Sequence, residues 1–118
     1  MPKAVIVDDY PIMRELLREF LRRANYEVVG EAGTGRELLD GYGAWQPDVV
    51  ILDLLLPDAN GVDVTRELLL KDPKAKVLLV SGLEADRKLT DECLAAGAKA
   101  LLPKPFTSED LINAVRAL

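Results

Sequence analysis

Four places in the chain carry side chains with chemistry to offer, and each closes an apolar run. The acid pair Asp8–Asp9 follows "AVIV", Asp53 follows "VVIL", Ser81 follows "KVLLV" and Lys104 follows "ALLP". Asp53 is the most demanding of them, because Leu54, Leu55 and Leu56 make its other flank apolar too. An unpaired carboxylate in such surroundings costs several kcal/mol or more, so it is paired, metal-bound or functional. Three carboxylates brought together repel one another unless a cation holds them. A serine hydroxyl can hydrogen-bond a phosphoryl oxygen, and a lysine supplies a point charge suited to phosphate. A metal and an ammonium together stabilise charge on a transferring phosphoryl group, and a carboxylate can be the nucleophile that receives it. Each residue also has a plainer reading. The acid pair can start a turn, Asp53 can cap a loop, Ser81 can bond backbone, and Lys104 can be a surface lysine. It is their joint occurrence, each at the end of its own apolar run, that points to one site.

Composition narrows the chemistry. The chain has no histidine, which excludes a Ser-His-Asp triad, a Cys-His pair and a histidine zinc site. A bound metal would have oxygen ligands and would be a hard cation, Mg²⁺ or Mn²⁺ before zinc. With a net charge of −5, non-specific nucleic-acid binding by this domain is not expected. No apolar run reaches transmembrane length, and "MPKAVIVDDY" does not read as a signal peptide, so no membrane insertion and a cytoplasmic location are expected. The lone Cys93 has no internal disulfide partner and reads as a small core residue.

The elements that must position these residues alternate in type. Strand-like runs at 3–9, 26–32, 48–54, 75–82 and 98–103 are separated by helical stretches at 11–25, 34–45, 62–72, 84–97 and 107–118. In the first helix Met13, Leu16, Leu17, Phe20, Leu21 and Ala24 repeat at one-face spacing. Arg14, Arg18 and Arg22 form a basic stripe beside that face, read as solvated, with Glu15 and Glu19 as i,i+4 partners. Gly41 and Gly43 weaken the second helix, and Pro47 stops it. Pro57, Asp58, Asn60 and Gly61 make the segment after the third strand a loop. Gly97 ends the fourth helix, and Thr107 or Ser108 caps the fifth. Five βα units with near-continuous apolar strands predict one α/β domain over 1–118, a doubly wound parallel sheet with helices on both faces. Ligands of such sheets bind beyond the carboxyl ends of the strands, where all four candidate groups lie.

The motifs "VIVDDYPIMRELL", "EAGTGRELL", "QPDVVILDLLLPDANGVDV", "KVLLVSG", "AAGAKALLPKPF" and "EDLINAVRAL" together resemble a response-regulator receiver domain of two-component signalling, of the chemotaxis-regulator type. The resemblance implies a flavodoxin-like (βα)5 fold with strand order 2-1-3-4-5. It implies Asp53 as phosphoacceptor and Mg²⁺ held by Asp9, Asp53 and the backbone carbonyl of Leu55, with Asp8 acting through a water. Ser81 becomes the switch hydroxyl, Lys104 the partner of the phosphoryl oxygens, and Lys104–Pro105 a cis peptide. Implied partners are a sensor histidine kinase or phosphotransfer protein as donor, and a downstream protein target or own effector domain as output. A phosphorylation-induced homodimer is also compatible. The surface expected to change is helix four, strand five and helix five, about 84–118, where "EADRKLTDE" suits a dimer face or plain solvent.

The sequence departs from the family pattern at Leu101, where an aromatic residue is usual, and more mildly at Leu56 and Asn60. Leu55 and Leu83 are expected to flank the phosphoryl group and hinder an attacking water. Two other readings remain. A pseudo-receiver would bind partners without phosphorylation. A phosphohydrolase of the haloacid-dehalogenase type would want Asp-x-Asp, whereas Asp53 is followed by three leucines. No enzymatic activity beyond the domain's own phosphorylation and dephosphorylation is expected.

Overall fold

A computed structural model of the chain describes residues 1–82 and 86–118. Five strands, β1 (Lys3–Val7), β2 (Glu27–Ala32), β3 (Val49–Asp53), β4 (Val77–Ser81) and β5 (Ala100–Pro103), form one parallel sheet in the order β2-β1-β3-β4-β5. Five helices connect and follow them: α1 (Pro11–Arg23), α2 (Gly35–Trp45), α3 (Gly61–Lys71), α4 (Arg87–Ala95) and α5 (Ser108–Arg116). The expected α/β fold and strand order are therefore present. The sequence predicts the fourth helix from 84; Glu84 lies outside the described residues, and α4 runs from Arg87 with the Asp86 carboxylate capping the Leu89 amide.

Side chains alternate across the sheet and build two cores. Ala4, Ile6, Val49, Ile51, Leu78 and Val80 pack with Leu17 and Leu21 of α1 and with Leu111 and Val115 of α5. Val5, Val7, Val50, Leu52, Val77 and Leu79 pack on the other face with Leu38 of α2, Leu68 of α3 and Cys93 of α4. Cys93 is thus the core residue it was expected to be, and burial pushes its thiol pKa up. The strands β1, β3 and β4 are buried on both faces beyond Lys3, whereas the edge strands β2 and β5 are mostly half-buried. Sequence pattern alone did not separate edge from centre.

Some local expectations need correction. Leu16 is 42% exposed, so the buried face of α1 is narrower than its periodicity suggested. The arginine stripe is only partly solvated: Arg18 makes a two-pronged bond to Glu31 of β2 at 2.7 and 3.0 Å, and Arg14 reaches the same carboxylate at 3.5 Å. Glu19 pairs instead with Arg23. Gly41 is needed rather than merely tolerated, because a Cβ there, or at Gly30 of β2, would overlap the Trp45 indole. Gly97, at φ 108°, follows the end of α4 as its type predicts, whereas α2 ends on Gln46 in the left-handed region, one residue before Pro47. Thr107 rather than Ser108 caps α5, in a reciprocal capping box with Asp110.

The β3–α3 loop is fastened at three levels. Gly61 N donates to Leu54 O at 2.6 Å, Leu56 N donates to Ala59 O at 3.1 Å, and the Asn60 side chain caps α3 at the Val62 amide. Gly61 has no room for a Cβ, which would sit 2.7 Å from the Asp53 carbonyl oxygen. At the loop tip, Asp58 accepts from the amides of Gly35 and Arg36 at 2.9 and 3.0 Å, while Thr34 accepts from Glu37. The first three amides of α2 are satisfied in this way, two of them from another segment. These bonds hold the Asp58 carboxyl below the ordinary carboxylate range. Replacing Asp58 by Ala is expected to cost about 1 kcal/mol, the usual value of a helix cap. Its contribution is present above the ordinary carboxylate pKa and is lost as pH falls through the depressed native value. Urea unfolding at neutral and acidic pH measures both; a wild-type midpoint at neutral pH would refute the tie.

Candidate functional site

The carboxyl ends of β1 and β3 lie side by side, because Val7 pairs with Leu52. Asp8 and Asp9 extend one strand and Asp53 ends the other, so the register alone brings the acids together. One carboxylate oxygen from each of Asp8, Asp9 and Asp53 lies within 4.8 Å of the others. Asp8 is 2% and Asp53 6% exposed, with Asp9 half-buried at the mouth. Each buried carboxylate is held by one oxygen and presents the other. Asp8 Oδ1 accepts from Tyr10 N at 2.9 Å, and Asp53 Oδ1 accepts from Leu55 N at 3.3 Å. Their Oδ2 atoms face the Lys104 ammonium at 3.3 and 3.5 Å.

β5 delivers that lysine by way of its pairing with β4. Ser81 pairs with Pro103, and the Ser81 carbonyl accepts from the Lys104 amide at 2.7 Å. The Lys104–Pro105 peptide is cis. Burial pushes the Asp53 carboxyl above its ordinary range; Lys104 opposes this and the Asp8 charge adds to it.

An open cleft of about 390 Å³ lies over the cluster, walled by Asp9, Asp53, Leu55, Pro57, Gly82 and Lys104 among others. The structure therefore gathers Asp8, Asp9, Asp53, Lys104 and the Leu55 backbone. Ser81 ends β4 one residue beyond Val80, which pairs with Asp53; it is buried, as Asp8 is, and its neighbour Gly82 lies on the cleft wall. Leu83, expected on the rim, lies outside the described residues. Leu101, in the place of the usual aromatic, packs half-buried against the core.

Three clustered carboxylates, two of them facing the one ammonium, leave an excess of negative charge in a pocket of oxygen donors. That donor set fits a hard divalent cation and does not suit a soft one. Sequence reasoning missed Glu31 and the role of Arg14, treated below. The clue was present in the glutamate that follows Gly30, but side-chain pairing between helix α1 and strand β2 has no short-range signature.

The sequence matches the model of the response regulator receiver domain over residues 4–116. The chain belongs to this family. It is 36% identical to the chemotaxis protein CheY of Thermotoga maritima over 113 residues, covering 96% of this chain and 93% of that one. It is 37% identical to the transcriptional regulatory protein PdtaR of Mycobacterium tuberculosis, over 96% of this chain and 54% of that protein. Among solved structures, the CheX-CheY-BeF3-Mg²⁺ complex of Borrelia burgdorferi superposes with a TM-score of 0.93 at 25% identity, covering 98% of this receiver and 87% of that chain. No helix among the described residues of the receiver is long and apolar enough to cross a membrane.

Proposed function

We propose that this receiver is a phosphorylation switch with Asp53 as its acceptor. The observation that carries the reading is the placement of Asp53 Oδ2 in an acid cluster whose charge is only partly balanced by Lys104. In the transfer, an Asp53 oxygen attacks the phosphorus of a phosphohistidine. The O–P bond forms as the P–N bond breaks, and the imidazole leaves and takes up a proton. Asp9, Asp53 and the Leu55 carbonyl are the groups suited to hold Mg²⁺, or Mn²⁺, with Asp8 acting through a water. When bound, that cation supplies charge stabilisation for the phosphoryl oxygens. Lys104 supplies a second positive charge from the other side. Ser81 reaches the phosphoryl group by moving from its buried place, which ties phosphorylation to β4 and to the α4–β5–α5 surface.

The donor is a sensor histidine kinase or a phosphotransfer protein. The output is a protein target, an attached effector domain or a second copy of the receiver, acting in the cytoplasm. The receiver turns over no substrate other than its own aspartyl phosphate. Intact mass after incubation with acetyl phosphate and Mg²⁺ tests the reading. A gain of one phosphoryl group, absent without metal, is the expected result. No gain from acetyl phosphate or from a histidine kinase, with the fold intact, would refute it in favour of a pseudo-receiver.

Leu55 is 55% exposed and borders the cleft, where an apolar side chain leaves an attacking water without a hydrogen-bond partner. Leu55→Asn is expected to shorten the lifetime of the aspartyl phosphate roughly fivefold, about 1 kcal/mol of barrier. Timing the loss of phosphoryl mass checks this; an unchanged decay removes Leu55 from the account.

A further inference from the structure

The Arg14 guanidinium donates to the carbonyl oxygen of Asp8 at 2.6 Å. That oxygen belongs to the peptide plane joining Asp8 to Asp9, so the bond acts on the one backbone unit that sets the two carboxylates relative to each other. A charged donor on a half-buried carbonyl makes a short, strong hydrogen bond. The guanidinium is itself fixed. Glu31 lies 3.5 Å from Arg14 Nε, and the Glu31 carboxylate is gripped at both oxygens by Arg18. The arginine side chains are 24% and 36% exposed, so the chain Arg18–Glu31–Arg14 runs along the rim rather than in free solvent. On its other side the loop is tied by the Asp8 amide, which donates to Ala32 O at 3.0 Å in the register of β2.

We infer that Arg14, anchored by Glu31, is a positioning residue that holds the Asp8–Asp9 peptide in the orientation the cation site requires. The inference rests on the proposed metal site for its functional consequence and on geometry alone for the placement. It also separates two roles that charge confuses. A guanidinium acting only through its charge repels a divalent cation, so its removal would tighten binding. One acting by position supports the ligands, so its removal would weaken binding. Lysine keeps the charge but lacks the planar fork that reaches the carbonyl and Glu31 together.

Calorimetric titration with Mg²⁺ alone compares the wild type with Arg14→Gln, Arg14→Lys and Arg23→Gln. Arg14→Gln and Arg14→Lys are each expected to weaken affinity roughly tenfold, the usual scale for groups that orient metal ligands. Arg23→Gln, which breaks only the exposed pair with Glu19 on the same helix, is expected to leave affinity unchanged. Unchanged or tighter binding in Arg14→Gln would overturn the inference. Should that variant not fold, Arg14→Lys and Arg18→Gln decide by the same criterion. Hydrogen exchange of the Tyr10 amide in metal-free protein gives an independent reading, since that amide bonds the Asp8 side chain. Faster exchange in Arg14→Gln, or in Arg14→Lys if the former does not fold, supports the inference, and an unchanged rate sinks it. If the wild type binds no Mg²⁺, the metal-site reading fails while the amide exchange still decides the role of Arg14.

Discussion

Asp53→Asn is expected to take up no phosphoryl group and, in metal-free buffer, to be more stable than the wild type. The loss follows from the proposed acceptor role, because an amide oxygen is too weak a nucleophile to replace the carboxylate. The gain follows from the site itself. Burial and the Asp8 charge outweigh the pull of Lys104 and hold the Asp53 carboxyl above its ordinary range. The native state therefore favours the neutral form more than the unfolded chain does, and a neutral isostere removes that cost. We expect about 1–2 kcal/mol, within the range of stabilising changes at functional sites. For a domain of this size each kcal/mol raises the melting temperature by roughly 4 °C.

The pH dependence has a fixed sign. A carboxyl with a raised native pKa costs stability above that pKa, and the cost disappears as pH falls through it toward the unfolded value. The gap between Asp53→Asn and wild type should thus be widest near neutrality and should close on acidification. Mg²⁺ should reverse the ranking. A ligand at a hundred times its dissociation constant stabilises the native state by about 2.7 kcal/mol, more than the expected gap, and the variant has lost a ligand to it. Calorimetric melts with and without Mg²⁺ read all of this. A variant less stable than wild type without metal would show that the Lys104 attraction, not burial, dominates at Asp53.

The sequence was most informative where a pattern repeats and least where one residue meets another far along the chain. Apolar runs closed by polar residues place Asp8, Asp9, Asp53 and Lys104 at strand ends from the sequence alone, since a strand of five residues has little freedom about where it stops. The strand order came through family resemblance, because periodicity carries no information about which strands are neighbours. What escaped were contacts between distant segments. Asp58 looked like a turn former and is a cap for α2, and Gly41 looked like a weak point and is the seat of Trp45. The stripe of arginines looked solvated because its partner, Glu31, lies 13 residues beyond Arg18 on a different element. Ser81 shows a different gap: its type and its place at the strand end were legible, but its burial comes from what packs around β4, which the strand's own sequence does not carry.

Lys104→Met should act in the opposite direction to Asp53→Asn. Among the described residues, Lys104 is the cation that contacts both buried carboxylates, and its side chain is itself only 19% exposed. Removing it leaves Asp8 and Asp53 facing each other without compensation. The metal-free variant is expected to lose about 1–3 kcal/mol, less than for a fully dry ion pair because the cleft is open to water. It should recover part of this as pH falls, since the loss of the ammonium raises the Asp53 pKa further and protonation relieves the repulsion. Mg²⁺ should bind the variant more tightly than the wild type, because no ammonium competes for the same oxygens. In the Asp53→Asn background the lysine has one carboxylate fewer to satisfy, so Lys104→Met should cost about 1 kcal/mol less there than in the wild type. Urea midpoints of the four proteins close this cycle. Additive effects would mean that Lys104 and Asp53 are neighbours without energetic coupling. The expected coupling means that the Asp53 charge is part of what Lys104 balances in the metal-free fold, so the proposed loading of that carboxylate acts on a contact that also contributes to stability.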